Sequence, residues 1–221
     1  MKNKLILFFL VLTQISVAQI TKNVGDFDGV KVFDKLQVTL ISSTENKVII
    51  TGTRKNEVEV VNKNGELKLR MPFPKLLLGD NIKIQLFFKN IEKIEASEGA
   101  IVDSEATFKQ NFINLDVISG AQISLDIDVE KVKVRVVSGG ILELSGNAIN
   151  QEVIVSSGGN LDASKLQTSQ TTITASLGGI ASVNATILVD AKAKGGGSIE
   201  IFGKPKQINK ETILGGSIIE N

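Results

Sequence analysis

The sequence predicts an all-β protein, a right-handed parallel β-helix entered through a short N-terminal β-meander. Three observations carry that prediction. Glycine-centred corners recur at Gly99, Gly120, Gly139, Gly158, Gly178, Gly196 and Gly215, spaced by 21, 19, 19, 20, 18 and 19 residues. Apolar residues fall into columns when the repeats are aligned on those glycines, and the residues between the columns are mostly polar. A period near twenty is what a solenoid needs, because each coil buries its apolar side only by resting on a copy of itself.

The columns define two strands per coil. Five residues before the glycine stand Ile94, Leu115, Val134, Val153, Ile173 and Ala191. Three before it stand Ala96, Val117, Val136, Val155, Ala175, Ala193 and Thr212. Between them lie Glu95, Asp116, Arg135, Ile154, Thr174, Lys192 and Glu211, which alternation places on the outer face. After the corner, Val102, Ile123, Leu142, Leu161, Ala181, Ile199 and Ile218 point inward. Like residues then stack about 4.8 Å apart in parallel ladders. The glycines suit corners that need positive φ. Hairpins of a β-sandwich would not require a constant period with aligned columns. The Gly158-Gly159-Asn160-Leu161-Asp162 stretch also lacks the third glycine of calcium-binding nonapeptide rolls, whose period is about half as long.

Residues 27–71 alternate with period two and read as antiparallel strands, with Asn62-Lys63-Asn64-Gly65 as a hairpin turn. Met71 to Asp80 holds two prolines among apolar residues. It reads as a loop that caps the end of the solenoid, with a partner-binding tip as the alternative. The division is a signal peptide over 1–18 and one domain over 19–221, its meander at 19–81 and its solenoid at 82–221. The signal rests on Lys2 and Lys4, the apolar run Leu5 to Leu12, and the small-x-small site Ser16-Val17-Ala18. That run is too short for a membrane span, and no span is expected in the mature chain. Export to the periplasm, outer surface or extracellular space is expected.

Composition excludes several chemistries. The chain has no His, Cys, Trp or Tyr. Thiolate nucleophiles, disulfides, Ser-His-Asp and Cys-His machinery and His-ligated metals are thereby removed, and no cofactor or metal is expected. A net charge of +1 leaves no footprint for nucleic acid.

Phe27-Asp28-Gly29-Val30-Lys31-Val32, Ile94-Glu95-Ala96-Ser97-Glu98-Gly99-Ala100, Ser119-Gly120-Ala121, Ser138-Gly139-Gly140 and Ser157-Gly158-Gly159 carry a resemblance. In their order and spacing the chain resembles the head GIN domain family, the auto-transporter adhesins common in Bacteroidota envelopes. The likeness runs from Phe27 to the C-terminus. It implies a secreted or surface β-helical domain with no catalytic residues to transfer. No segment resembles a translocating barrel, so self-export is not expected.

The candidate site is an outward column after the corner: Asp103, Ser124, Glu143, Asp162, Ser182 and Glu200. Its acids, Asp103, Glu143, Asp162 and Glu200, are the candidate binding residues. Glu143 and Asp162 would lie one coil apart, close enough to raise one pKa or share a cation. The opposing view is a solvated face with lysine partners. Arg135 is the one arginine of the solenoid, which speaks against elimination from acidic sugars. The expected function is a non-enzymatic, adhesin-like module that meets a glycan or cell-surface protein through repeated outward faces. The alternatives are a carbohydrate-active lyase or hydrolase using the acidic column, and a purely structural envelope protein. The last coil, around Ile213 to Ile219, shows no polar cap, and a homo-oligomer through that end is expected.

Overall fold

The computed structural model describes residues 19–221, so the expected signal peptide lies outside the described residues. Regular structure is strand throughout, apart from one 3-10 turn at Lys55–Glu57. Nine short strands come first: β1 (Ile20–Asn23), β2 (Gly29–Val32), β3 (Gln37–Ser42), β4 (Lys47–Gly52), β5 (Glu59–Lys63), β6 (Glu66–Arg70), β7 (Ile82–Phe88), β8 (Lys93–Ala96) and β9 (Ile101–Ser104). Five longer ones follow: β10 (Phe108–Val117), β11 (Gln122–Val137), β12 (Ile141–Ser156), β13 (Asn160–Ser176) and β14 (Ile180–Lys194). The fold ends with β15 (Ser198–Phe202), β16 (Gln207–Ile213) and β17 (Ser217–Glu220).

Neighbouring coils pair parallel and in the register the columns require. Ile94, Leu115, Val134, Val153, Ile173 and Ala191 stand side by side along one ladder. Val102, Ile123, Leu142, Leu161, Ala181 and Ile199 stand side by side along the other. All twelve are buried in one continuous core. The result is a β-solenoid of about seven turns with an N-terminal sheet.

Each corner is a turn with two consecutive left-handed residues. Ser119 and Gly120 have φ of 52° and 71°, Ser138 and Gly139 53° and 74°, and Ser157 and Gly158 52° and 73°. Two positive φ values identify a type I′ turn, closed here by bonds such as Gly140 N–H to Val137 O at 3.1 Å. The turns also bond to one another along the edge: Gly120 N–H donates to Ser138 O and Gly139 N–H to Ser157 O. The residue after the turn is buried alanine in the first two of these coils, Ala100 and Ala121, and glycine in the later ones for another reason. A Cβ on Gly159 would sit 2.4 Å from the Val136 carbonyl oxygen of the preceding coil, whereas one on Gly158 would meet nothing within 4 Å.

The long strands contain a bend that carries no glycine. In β11 the inward phase slips from Val129 to Val132, in β12 from Ala148 to Gln151, and in β13 from Thr168 to Thr171. In β11 and β12 the slip separates the inward run after one corner, which extends to Val129 and Ala148, from the run before the next; β13 slips a second time, from Ala163 to Leu166. Polar residues are buried at this bend: Thr171 Oγ1 donates to Gln151 Oε1 at 3.1 Å and Thr168 Oγ1 to Asn184 O at 2.8 Å, while Gln151 Nε2 has no partner among the described residues.

The N-terminal pairing differs from the sequence reading. β1 with β4, β4 with β7, and β5 with β6 are antiparallel. β2, however, lies parallel between β6 and β8, and β3 parallel between β7 and β9. β2 and β3 form a coil of the solenoid, and β6 and β7 stack outside it, reached by a reversal of axial direction. The corner of that early coil is Asp34-Lys35, both at φ 61°, with Leu36 N–H bonded to Phe33 O at 3.2 Å. Its lack of glycine hid it.

Asp34 is 1% exposed. Its carboxylate accepts the N–H of Met71 at 2.9 Å and of Leu77 at 3.0 Å, which fastens the loop joining β6 to β7. Partial burial, together with the Asp34 carboxylate, pushes the Glu98 carboxyl above its ordinary 4.5. The loop does not cap the core as expected: Phe73 is 86% exposed, and Leu76, Leu77 and Leu78 also face solvent.

At the far end, register sets Lys210 beside the inward Ala191 and Glu220 beside the inward Ile201. The two form an ion pair over the end of the stack. The sequence reading saw no polar cap here because both residues looked like ordinary surface charges. Inward-pointing charge on a terminal coil opposes the stacking of a further coil.

Three outcomes are expected. Gly158→Ala should lose about 1–2 kcal/mol, the strain of a Cβ at positive φ. Gly159→Ala should lose more, roughly 3 kcal/mol, because the coils must part. Urea melts of both variants that ranked them the other way would contradict this account. Because Glu98 titrates higher folded than unfolded, stability falls as pH rises from 4.5 through its elevated midpoint. Glu98→Gln should flatten that decline in melting temperature. Replacing Lys210 and Glu220 together by Leu should produce larger species in sedimentation velocity; an unchanged distribution would remove the pair's role as a guard.

Candidate functional site

The expected acidic column assembles. Parallel pairing sets Asp103 beside Ser124, Ser124 beside Glu143, Glu143 beside Asp162, Asp162 beside Ser182, and Ser182 beside Glu200. Alternation on β9, β11, β12, β13, β14 and β15 points all six away from the core. A shallow cavity of about 150 Å³ opens over its first part, lined by Ile101, Asp103, Gln122, Ser124, Ile141 and Glu143.

Asp162 behaves differently from its neighbours. The register between β12 and β13 shifts just beyond it. Its carboxylate there accepts the Ser164 hydroxyl at 2.6 Å and the Ser164 N–H at 3.0 Å. These bonds hold it below its ordinary 3.8, so it is a firm anion already occupied by its own strand. Such a carboxylate is a poor proton donor. No cluster of three or more acidic side chains suited to a metal ion occurs among the described residues.

The larger concavity lies on the other sheet, outside the strands that precede the corner. It measures about 490 Å³ and is lined by Asn114, Asp116, Lys133, Arg135, Glu152, Ile154, Thr172 and Thr174. β10, β11, β12 and β13 each contribute their outward residues to it. The column holding Asp116, Arg135, Ile154 and Thr174 was legible as outward-facing, yet nothing in its composition marked it as a site.

A ladder of ion pairs leads along this face to the groove. Lys31 bridges Glu66 at 3.1 Å and Glu95 at 3.2 Å, and Lys93 reaches Glu95 at 3.6 Å and Asp116 at 3.8 Å. Burial alone would lower the Lys31 pKa, but its bonds to Glu66 and Glu95 outweigh that and raise it. On the groove's other flank Glu152 is bonded to Lys131 and lies 3.7 Å from Lys133. The Lys131 bond holds its carboxyl below the ordinary value. Arg135 makes no ion pair among the described residues. Beside it stands Ile154, 52% exposed, with the hydroxyl-bearing Thr172 and Thr174 one coil beyond. The groove thus offers a cation, two hydroxyls, a side-chain amide and an apolar patch on a rigid sheet. That set suits polar ligands.

Solved structures share this fold. An adhesin-like protein from Bacteroides fragilis, described as a "putative adhesin", superposes with a TM-score of 0.84 at 20% identity, covering 92% of this chain and 96% of that one. A "putative adhesin" from Parabacteroides distasonis gives 0.73 at 19% identity, covering 92% and 96%. A "putative lipid binding protein" from the same species gives 0.72 at 17% identity, again covering 92% and 96%. No curated protein sequence matches the chain. Residues 26–205 match the family described as "putative auto-transporter adhesin, head GIN domain", and the chain belongs to that family.

Proposed function

We propose that this chain is an exported, non-enzymatic binding module of the cell envelope, adhesin-like, that holds a glycan or a protein surface against its outward β-sheet faces. The groove around Arg135 is the principal contact, and the acidic strip of Asp103, Glu143, Asp162 and Glu200 is a secondary one. The reading is supported chiefly by the charge pattern of the groove's face. Its lysines and acids neutralise one another along the ladder, while Arg135, Ile154, Thr172 and Thr174 are left facing solvent together. A planar guanidinium beside hydroxyls suits carboxylate, sulfate or backbone carbonyl groups, and an exposed isoleucine suits the apolar face of a sugar ring or an aliphatic side chain. The family and the similar structures, described as adhesins, point the same way.

Adhesion of the purified chain to immobilised glycans and envelope proteins tests this. Arg135→Ala with Thr174→Ala should weaken capture about tenfold or more through lost charge-assisted hydrogen bonds, with melting unchanged. Glu143→Gln with Asp162→Asn should weaken it less. Loss of a polysaccharide-cleaving activity in that acidic pair, with the groove variant unimpaired, would overturn the reading in favour of an enzyme.

A further inference from the structure

We propose that the loop between β6 and β7, residues 71–81, is a lipid-docking tip for a phospholipid bilayer surface. Phe73, Leu76, Leu77 and Leu78 enter the acyl boundary, and the cavity beside them receives a headgroup phosphate at Arg54.

The loop is held firmly in an orientation that leaves Phe73 almost uncovered and its three leucines partly so. Asp34 bonds to Met71 and Leu77 through its carboxylate and to Gly79 N–H through its carbonyl at 3.0 Å. A Cβ on Gly79 would fall 2.4 Å from that carbonyl oxygen, so the loop base is pressed against the neighbouring coil. Lys75 N–H closes a turn on Pro72 O at 2.7 Å, and Lys75 Nζ pairs with Glu57 at 2.9 Å. Met71 at the base is buried, but Phe73 is 86% exposed and the three leucines 40–47%. Four apolar side chains held in water at one protruding corner contribute little to folding and mark a contact surface. Because the fold has already ordered them, docking them loses little further entropy.

The neighbouring chemistry selects the occupant. Adjoining Leu78 is a cavity of about 290 Å³ lined by Thr53, Arg54, Asp80 and Asn81. Arg54 makes no ion pair among the described residues. One arginine and one aspartate, flanked by a hydroxyl and an amide, complement the phosphate and ammonium of a phosphoethanolamine headgroup. Exposed apolar residues that adjoin such a headgroup site, as Leu78 does, suit a bilayer boundary, polar outside and apolar within. Lys75 is already neutralised by Glu57, so the tip itself carries little charge into the boundary.

Flotation of the full chain with equimolar phosphatidylethanolamine and phosphatidylglycerol vesicles tests the proposal. The native chain should float, and Phe73→Ser with Leu76→Ser should partition roughly a hundredfold less. Arg54→Ala should lower partitioning about tenfold and erase any preference over phosphatidylcholine vesicles. All three positions are exposed, and matching melting curves check that the fold is kept. A native chain that stays with the soluble fraction overturns the proposal, as does a double variant that floats undiminished. Tip-dependent self-association without lipid would assign the loop to a second copy instead. Glycan and protein capture through the Arg135 groove is read in a separate assay, so either idea can fail alone.

Discussion

The corner decides this architecture. To carry the chain from one sheet to the next in two residues, both must enter the left-handed region, where a Cβ crowds the backbone by about 1–2 kcal/mol. One of the pair is glycine in most coils, and serine often takes the other place. The next residue lies so close to the preceding coil that Gly140, Gly159, Gly179, Gly197 and Gly216 have no room for a side chain. Once these corners stack, hydrogen bonds between turns fix the register of everything attached to them. A slip of one residue would send every inward side chain to the surface.

That register accounts for how the stack begins and ends. Ala175, Ala181, Ala185, Ala191 and Ala193 bring small side chains into the core toward the C-terminal end, where the earlier coils carry Val, Leu and Ile. In the last coil Ile208 and Ile218 still pack on the core, and beside them Lys210 and Glu220 hold inward positions and pair with each other. At the other end the chain lays down the β2–β3 coil, steps outward to β6 and β7, and returns to β8. The step is anchored by Asp34, whose buried carboxylate replaces the backbone partners that a sharp loop leaves without bonds.

The repeat was legible because its signal is redundant: seven glycines and three apolar columns say the same thing. Where redundancy failed, so did the reading. The Asp34-Lys35 corner makes the same turn with no glycine, and β2 and β3 consequently looked like part of an antiparallel meander. The bend at Val129 to Val132 and its counterparts slip phase without any special residue, so the place where one inward run passes into the next carries no mark in the sequence. Loop 71–81 looked like a cap by composition, since hydropathy does not reveal which way a loop points. The acidic column was correctly placed as a column. Its chemistry, however, depended on a register shift that let Asp162 bond Ser164, and register shifts leave no mark in a single sequence.

Repetition explains why the acidic column is less informative than it first looks. In a solenoid each outward residue has a neighbour about 4.8 Å away on either side, so charges pair along the axis and a regular face tends to neutralise itself. Lys31, Glu95, Lys93 and Asp116 do this over successive strands. Side chains without an axial partner then collect where the pattern is interrupted. Arg135 lies between Asp116 on one side and Ile154 on the other, makes no ion pair among the described residues, and the groove opens there. At the β6–β7 corner a two-residue turn is replaced by an eleven-residue excursion, and apolar side chains reach solvent there. The regular coils make a stiff frame, and side chains are left without a charge partner or a core where one coil fails to copy the last.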